Sequence, residues 1–252
     1  MTVAPHTEWF TIYTFQEDEN GTARVQTLCD YMQEAAGNHA AGLGVSIDRL
    51  LEDGVAWVLA RMRVVLEGLP SVHERIQVET WPVGVEGLQF RRDFIVRRED
   101  GFVLARAVSH WVVVSLETRK VGRMPPFIAA VALDNAATAL QDARSKLPEA
   151  GPEHETCAFR ARLADVDRNR HVNNVRCVEW ILESVPEAVR SGMRLSDLEV
   201  MFRAESFWKD AVSARTMPRE GQGEAERGFI HSLVRKADGR ELVRARTFWR
   251  AP

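Results

Sequence analysis

The chain has 252 residues, a hydrophobic fraction of 45% and a formal net charge of −3. This length fits one large domain or two of ordinary size, and the hydrophobic fraction is sufficient for a core. The negative charge argues against a nucleic-acid-binding protein, and no apolar run approaches the roughly 20 residues of a membrane helix.

The first half reads as strand, helix and further strands in that order. A strand over residues 9–15 leads through a polar turn into a helix over 25–40. Apolar side chains recur there at helical spacing, at Val25, Leu28, Met32, Ala35 and Ala36. Long strands rich in Val and Trp follow at 55–66 and 102–116. This order predicts a long helix wrapped by an antiparallel sheet.

A linker over residues 119–151 separates the two halves. Prolines open and close it, and its alanine-rich stretch predicts a helix over 128–146. We therefore predict an N-terminal domain over 1–118 and a C-terminal domain over 152–252.

The second half repeats the first. The segment Asp100-Gly-Phe-Val-Leu-Ala-Arg-Ala-Val-Ser-His-Trp111 aligns without a gap with Asp238-Gly-Arg-Glu-Leu-Val-Arg-Ala-Arg-Thr-Phe-Trp249. A strand over 158–164 and a helix over 172–184 again come in that order. The predicted fold class is α+β, with the same helix-and-sheet unit twice in tandem.

The stretch Asp167-Arg-Asn-Arg-His-Val-Asn-Asn-Val175 gathers polar side chains at the end of a strand. Alternate spacing directs Asp167, Asn169 and His171 to one side. Asn173 or Asn174 can cap the following helix, whose free N–H groups stabilise developing negative charge. We expect the Asp167 carboxylate to orient His171, and a His fixed in this way is suited to acid–base catalysis. A polar turn in which His171 is incidental explains the same residues about equally well.

The repeat separates these two interpretations. Aligning the halves places Asp18 on Asp167 and Thr22 on His171, while Leu69 falls on Glu205. Only the second half has both a His and a carboxylate facing it from the next strand. This difference favours a functional site at Asp167, Asn169, His171 and Glu205.

These blocks resemble the acyl-acyl carrier protein thioesterases of bacteria and plant plastids, which are double hotdog proteins. The matching segments are residues 167–175, 179–186, 31–40, 57–61 and 80–82. The resemblance implies hydrolysis of fatty acyl thioesters on acyl carrier protein, with Asp167, Asn169, His171 and Glu205 at the catalytic positions. It also implies an acidic carrier with a phosphopantetheine-linked acyl chain as partner, and an acyl pocket in the first half near Trp57, Val58, Leu59 and Met62. Core packing explains those apolar residues nearly as well.

One departure concerns the residue after Glu205, where many members carry Cys and this chain has Ser206. A mechanism with Glu205 as the base that activates water does not need the thiol, and direct attack by Glu205 is the less favoured route. Cys177 reads as a core residue, and no His or Cys spacing predicts a metal or cofactor. Cysteine usage and the lack of a signal peptide predict a cytoplasmic protein.

Several alternatives stay open at this level. An acyl-CoA thioesterase, a dehydratase or hydratase of 3-hydroxyacyl thioesters, and a non-catalytic acyl-binding protein all fit the fold. The paired arginines Arg61 and Arg63, Arg160 and Arg162, and Arg244 and Arg246 read as solvated sheet faces, and one pair is expected to receive the acidic carrier. We expect no nucleic acid or membrane partner, and a homodimer is left open.

Overall fold

The computed structural model describes residues 4–131, 137–141, 146–220 and 225–251. Its internal contacts divide the chain into two compact units, Met1–Asp142 and Ala143–Pro252. This division falls inside the predicted linker, and the domain limits given above stay a prediction.

The first unit is one long helix on a five-stranded antiparallel sheet. Its strands are β1 (His6–Thr11), β2 (Val55–Leu66), β3 (Arg75–Glu86), β4 (Gln89–Arg98) and β5 (Val103–Ser115). Its helices are α1 (Val25–Gly42), α2 (Ile47–Glu52) and α3 (Pro126–Ala129). The strands are ordered β1-β3-β4-β5-β2. Helix α1 packs on β1 and β3 through one buried apolar stripe that includes Leu28 and Met32.

The second unit repeats this arrangement. Its strands are β6 (Glu155–Arg160), β7 (Arg194–Phe202), β8 (Ala211–Glu220), β9 (Glu226–Arg235) and β10 (Glu241–Arg250). Its helices are α4 (Asn174–Glu183) and α5 (Glu187–Gly192), and α4 contacts β9. The strand order β6-β8-β9-β10-β7 matches that of the first unit, element for element. The predicted α+β class, with two tandem hotdog units, is confirmed.

The predicted linker helix is wrong over the described part of its range. Only Pro126–Ala129 is helical there, and residues 137–141 and 146–150 contain no helix. The backbone of this segment bonds to side chains instead: Trp81 Nε1 donates to Ala137 O at 2.8 Å, and Ala139 N donates to Asp93 Oδ2 at 2.7 Å. Alanine content alone could not compete with these tertiary bonds. Residues 132–136 and 142–145 of the predicted helix lie outside the described residues.

Three of the six paired arginines do not lie on the solvated faces that their spacing predicted. Arg61 and Arg244 are buried, and Arg246 is largely covered and lies 2.8 Å from Glu199. Arg244 donates to Leu147 O at 2.9 Å, so it holds the chain that enters the second unit. Spacing places two side chains on one sheet face, but it does not say what covers that face. Arg160 and Arg162 are exposed.

A buried histidine makes the second unit sensitive to acid. His231 on β9 is fully buried between Thr216 Oγ1 at 3.1 Å and Thr247 Oγ1 at 2.9 Å. Burial lowers the pKa of His231 from 6.5 to about 3. As pH falls, His231 is protonated in the unfolded chain before it is protonated in the folded chain. The free energy of unfolding therefore falls as pH drops from 6.5 towards 3.

We expect unfolding in urea to show a loss of about 2 kcal/mol from this group between pH 7 and pH 4.5. His231→Phe removes the titrating ring, and Phe94 occupies the corresponding position of β4, opposite Thr80 as His231 is opposite Thr216. Between pH 7 and pH 4.5 the variant should lose about 2 kcal/mol less of its free energy of unfolding than the wild type. An unchanged slope would rule out His231 as the source.

Candidate active site

A five-residue turn between β6 and α4 carries three of the predicted site residues. Asp167 N donates to His171 O at 2.9 Å, and Arg170 N donates to Asp167 O at 2.9 Å. The Asp167 carboxylate accepts from Asn169 N at 2.8 Å, as Asp commonly does in a turn. Arg170 has a φ of 64°, in the left-handed region. The turn is therefore closed by backbone bonds and by one carboxylate.

The start of α4 lies directly after this turn. Asn173 is its N-cap, and its side-chain oxygen accepts from Val175 N at 2.8 Å. The cap expected from the sequence is confirmed at Asn173. The N–H groups of Val175 and Arg176 already bond to Asn173, and the positive end of the helix dipole lies two residues from His171. Developing negative charge on a bound carbonyl would be stabilised there.

The structure brings His171 and Glu205 together. His171 Nδ1 lies 3.6 Å from Glu205 Oε1, and their side chains are 30% and 39% exposed. The imidazole ring also meets the edge of the Phe207 ring at 5.1 Å between centroids. Val172 N donates to Ser206 O at 2.8 Å, which fixes the turn against the loop between β7 and β8. A carboxylate and an imidazole thus face each other at a solvent-accessible position.

Asp167 does not contact His171 as expected. Within the part of the chain that the structure describes, its carboxylate bonds to Asn169 N, and the carboxylate nearest the imidazole belongs to Glu205. The reason is local. An Asp side chain readily accepts from the backbone N–H two residues later, and here that bond takes the carboxylate in place of the imidazole. Asn169 is exposed, and its backbone N–H is held by Asp167.

The first unit contains the same turn without the His and the Glu. Asp18 N donates to Thr22 O at 2.7 Å, as Asp167 N does to His171 O. Ala23 N donates to Pro70 O at 2.8 Å, as Val172 N does to Ser206 O. These shared bonds place Thr22 at the position of His171, and Leu69, the residue before Pro70, at the position of Glu205. The alignment inferred from the sequence repeat is confirmed in register.

Reasoning from sequence missed the residues that hold the Glu205 loop. Asp210 Oδ2 accepts from Phe207 N at 2.9 Å and from Ser206 Oγ at 3.2 Å. Arg235 Nη1 lies 3.4 Å from both Asp210 Oδ2 and Glu205 O. The repeat contained a signal for this network. Glu74, at the position of Asp210, accepts from Ser71 N at 2.9 Å in the same way.

The geometry at Ser206 yields a prediction about the nucleophile. Ser206 is 4% exposed and its hydroxyl donates to Asp210. Because the hydroxyl is buried and bonded to a carboxylate, Ser206→Ala should lower kcat by less than about tenfold, the value of one lost bond to a charged group. Steady-state kinetics of the variant measure this. A loss of a thousandfold or more would make residue 206 a reacting group.

Cys177 lies in the core, as its sequence context predicted. Burial raises the pKa of Cys177 to about 12, so its sulfur stays a thiol at neutral pH. Across the described ranges no cluster of His, Cys, Asp and Glu could hold a metal ion. Among the helices in those ranges, none has the length and apolar character to cross a bilayer.

The fold and the site together define a class of protein. Two hotdog units lie in tandem, and the second has a His facing a Glu beside a helix N-terminus. The chain belongs to the acyl-ACP thioesterase family. Residues 4–131 match the acyl-ACP thioesterase N-terminal domain, and residues 149–251 match the C-terminal domain.

Characterised relatives and solved structures agree with this assignment. A palmitoyl-acyl carrier protein thioesterase, chloroplastic, of Gossypium hirsutum is 30% identical over 263 residues, which cover 96% of this chain and 62% of the relative. The chain thus spans about three fifths of that relative's length. The crystal structure of an acyl-ACP thioesterase from Bacteroides thetaiotaomicron has 28% identity and a TM-score of 0.84, with 97% of each chain covered. The 12:0-ACP thioesterase from Umbellularia californica has 27% identity and a TM-score of 0.87, covering 98% of this chain and 94% of that one.

Proposed function

We propose that this protein hydrolyses fatty acyl thioesters on acyl carrier protein and releases the free fatty acid. The observation that carries the proposal is the Glu205 carboxylate 3.6 Å from the His171 ring, beside the N-terminus of α4. Family membership supports the substrate class, since relatives are named for palmitoyl, oleoyl and dodecanoyl thioesters on the carrier.

The reaction needs a water, a base and a place for negative charge. Glu205 takes a proton from the water while the oxygen attacks the thioester carbonyl carbon. The charge that moves to the carbonyl oxygen is stabilised by the positive end of the α4 dipole, through an N–H group not bonded to Asn173, and by the Asn169 carboxamide. One such donor typically lowers the barrier by about 3 kcal/mol. Collapse of the intermediate breaks the carbon–sulfur bond, and the thiolate takes up a proton.

His171 and Asp167 have different parts in this proposal. His171 faces Glu205 and carries the proton between that carboxylate and the leaving sulfur, which is general acid–base catalysis. Asp167 closes the turn that presents Asn169 and His171, so it acts through those residues. Direct attack by Glu205 on the carbonyl is the less favoured route, because it requires a mixed anhydride that water must then hydrolyse.

The first unit is the proposed site for the acyl chain. Leu59 and Met62 on β2 are buried, and Trp57 packs against an apolar cluster with Phe90. The unit lacks the reacting pair but keeps this apolar interior, which suits a hydrocarbon chain. We propose that the phosphopantetheine arm delivers the thioester to the second unit. No resident cofactor or metal takes part, and the proposal places the reaction in the cytoplasm.

A thiol-release assay over acyl carrier protein thioesters of several chain lengths tests this function. We expect thiol release with the carrier substrates and loss of release in His171→Ala. Faster release from the matching CoA thioesters would assign the protein to acyl-CoA hydrolysis. Water loss from a 3-hydroxyacyl substrate without thiol release would indicate a dehydratase. Tight acyl binding without product would indicate a binding protein.

A further inference from the structure

Five exposed basic side chains flank the candidate site of the second unit. They lie on the two segments that carry the candidate catalytic residues, and they are Arg160, Arg162, Arg168, Arg170 and Lys209. Two backbone bonds of 2.9 Å hold the segments side by side, from Ala161 N to Asp210 O and from Lys209 N to Ala161 O. We name these five side chains the basic rim.

The first unit shows that the hotdog unit does not require this charge. Ile12 N donates to Glu74 O, and His73 N donates to Ile12 O, so the two units align residue by residue around these segments. The positions that match the basic rim hold Thr11, Tyr13, Glu19, Gly21 and His73. These five positions carry five positive charges in the second unit and a single negative charge in the first unit, with His neutral. The same fold therefore forms without the rim, and the charge accompanies the reacting groups.

Much of this charge is not neutralised within the protein. Arg162 pairs with Asp165 at 2.7 Å. Arg160 and Arg170 form no ion pair with any residue that the structure describes, and the Lys209 ammonium lies 4.1 Å above the Trp208 ring. A local concentration of positive charge of this kind attracts and orients an acidic partner, although the whole chain carries a net charge of −3.

Arg170 adopts a backbone conformation that favours glycine. Its φ is 64°, and Gly21 holds the same place in the first unit with a φ of 74°. A side chain at such a position costs stability, and strain of this kind persists where function requires the side chain. Arg170 directly precedes His171 in the turn, and its side chain is exposed.

Exposed apolar side chains accompany the charges. Leu163, Phe207 and Trp208 are 71%, 40% and 52% exposed. Aromatic and basic side chains together are typical of protein-binding surfaces. The mixture fits an acidic protein with some apolar side chains better than it fits a bare phosphate group.

We propose that the basic rim is the docking surface for an acidic carrier protein, and that Arg170 is kept in its left-handed conformation for this contact. The inference rests on the proposed function and names the surface that recognises the protein part of the substrate.

A matched pair of variants tests the surface. Lys209→Glu and His73→Glu place the same residue at corresponding positions with φ of 72° and 68°. The readout is the ratio of KM for an acyl carrier protein thioester to KM for the acyl-pantetheine thioester at low salt. We expect this ratio to rise roughly tenfold for Lys209→Glu, to depend less on salt, and to stay unchanged for His73→Glu. Equal ratios in the two variants would overturn the proposal.

Arg170→Gly separates docking from folding because its two effects have opposite directions. We expect the melting temperature to rise by roughly 2 °C as strain is relieved. The affinity for the carrier should fall roughly threefold as one rim charge is lost. Titration with a carrier whose acyl chain is attached through an amide measures that affinity without turnover. Unchanged affinity would overturn the docking surface, whereas failure of the wild type to release thiol from any thioester would overturn the proposed function and leave the binding result standing.

Discussion

Glu205→Gln should reduce thiol release from acyl carrier protein thioesters by a hundredfold or more, with little change in KM. The amide keeps the shape of the side chain but cannot take a proton from water, so about a hundredfold or more from general base catalysis is lost. The residue is 39% exposed in its side chain and lies on a loop held by Asp210 and Arg235, so the fold should survive. Initial rates at saturating substrate measure the effect.

Glu19→Gln is the control for this substitution. Glu19 lies in the turn of the first unit that matches residues 167–171, at the position of Arg168, and it is exposed, so the same change there should leave kcat and the melting temperature as they are. A Glu205→Gln variant that retained a third of wild-type turnover would remove Glu205 from the chemistry. Incorporation of oxygen from labelled water into the enzyme during a single turnover would instead favour direct attack by the carboxylate.

His171→Ala should cost a similar factor, and the double variant with Glu205→Gln should be little slower than either single variant. The two side chains lie 3.6 Å apart and serve the same proton transfer, so removing one leaves the other without its function. Residues that act as a unit show such non-additive losses. The measurement is kcat/KM for the four proteins of the cycle.

Thr22→Ala is the matched control for His171→Ala, since Thr22 occupies the corresponding position in the first unit. It should leave kcat/KM within about twofold, because only weak bonds to Asp18 are lost. If the losses of the two site variants simply multiply in the double variant, His171 and Glu205 act independently and the shared proton transfer is wrong.

Sequence reasoning reached the fold through periodicity and repetition. Strand β2, over Val55–Leu66, has the predicted limits, and α1 differs from its prediction only at its end. The repeat placed Leu69 against Glu205 and Thr22 against His171, and shared backbone bonds confirm that register. Comparing the two halves gave the correct register because the same backbone hydrogen bonds must form in both units.

The remaining features depended on which of several possible partners each group bonds. Asp167 was expected at the imidazole but bonds to Asn169 N, since a nearby amide competes first. The arginine pairs were expected on solvated sheet faces, but Arg244 is covered by the segment that contains Leu147. The linker helix was predicted from propensity, and side chains of the sheet captured its backbone instead. Whether Asp167, Asn169, His171 and Glu205 perform the reaction stays a prediction.

The duplicated turn has a consequence for stoichiometry. Each unit closes its turn with the same backbone bonds, yet of the two described turns only that of the second unit carries a His opposite a Glu. Covalent labelling of the reacting carboxylate should therefore count one equivalent per polypeptide although the chain has two halves. Two equivalents per chain would mean that the first unit reacts through groups other than these.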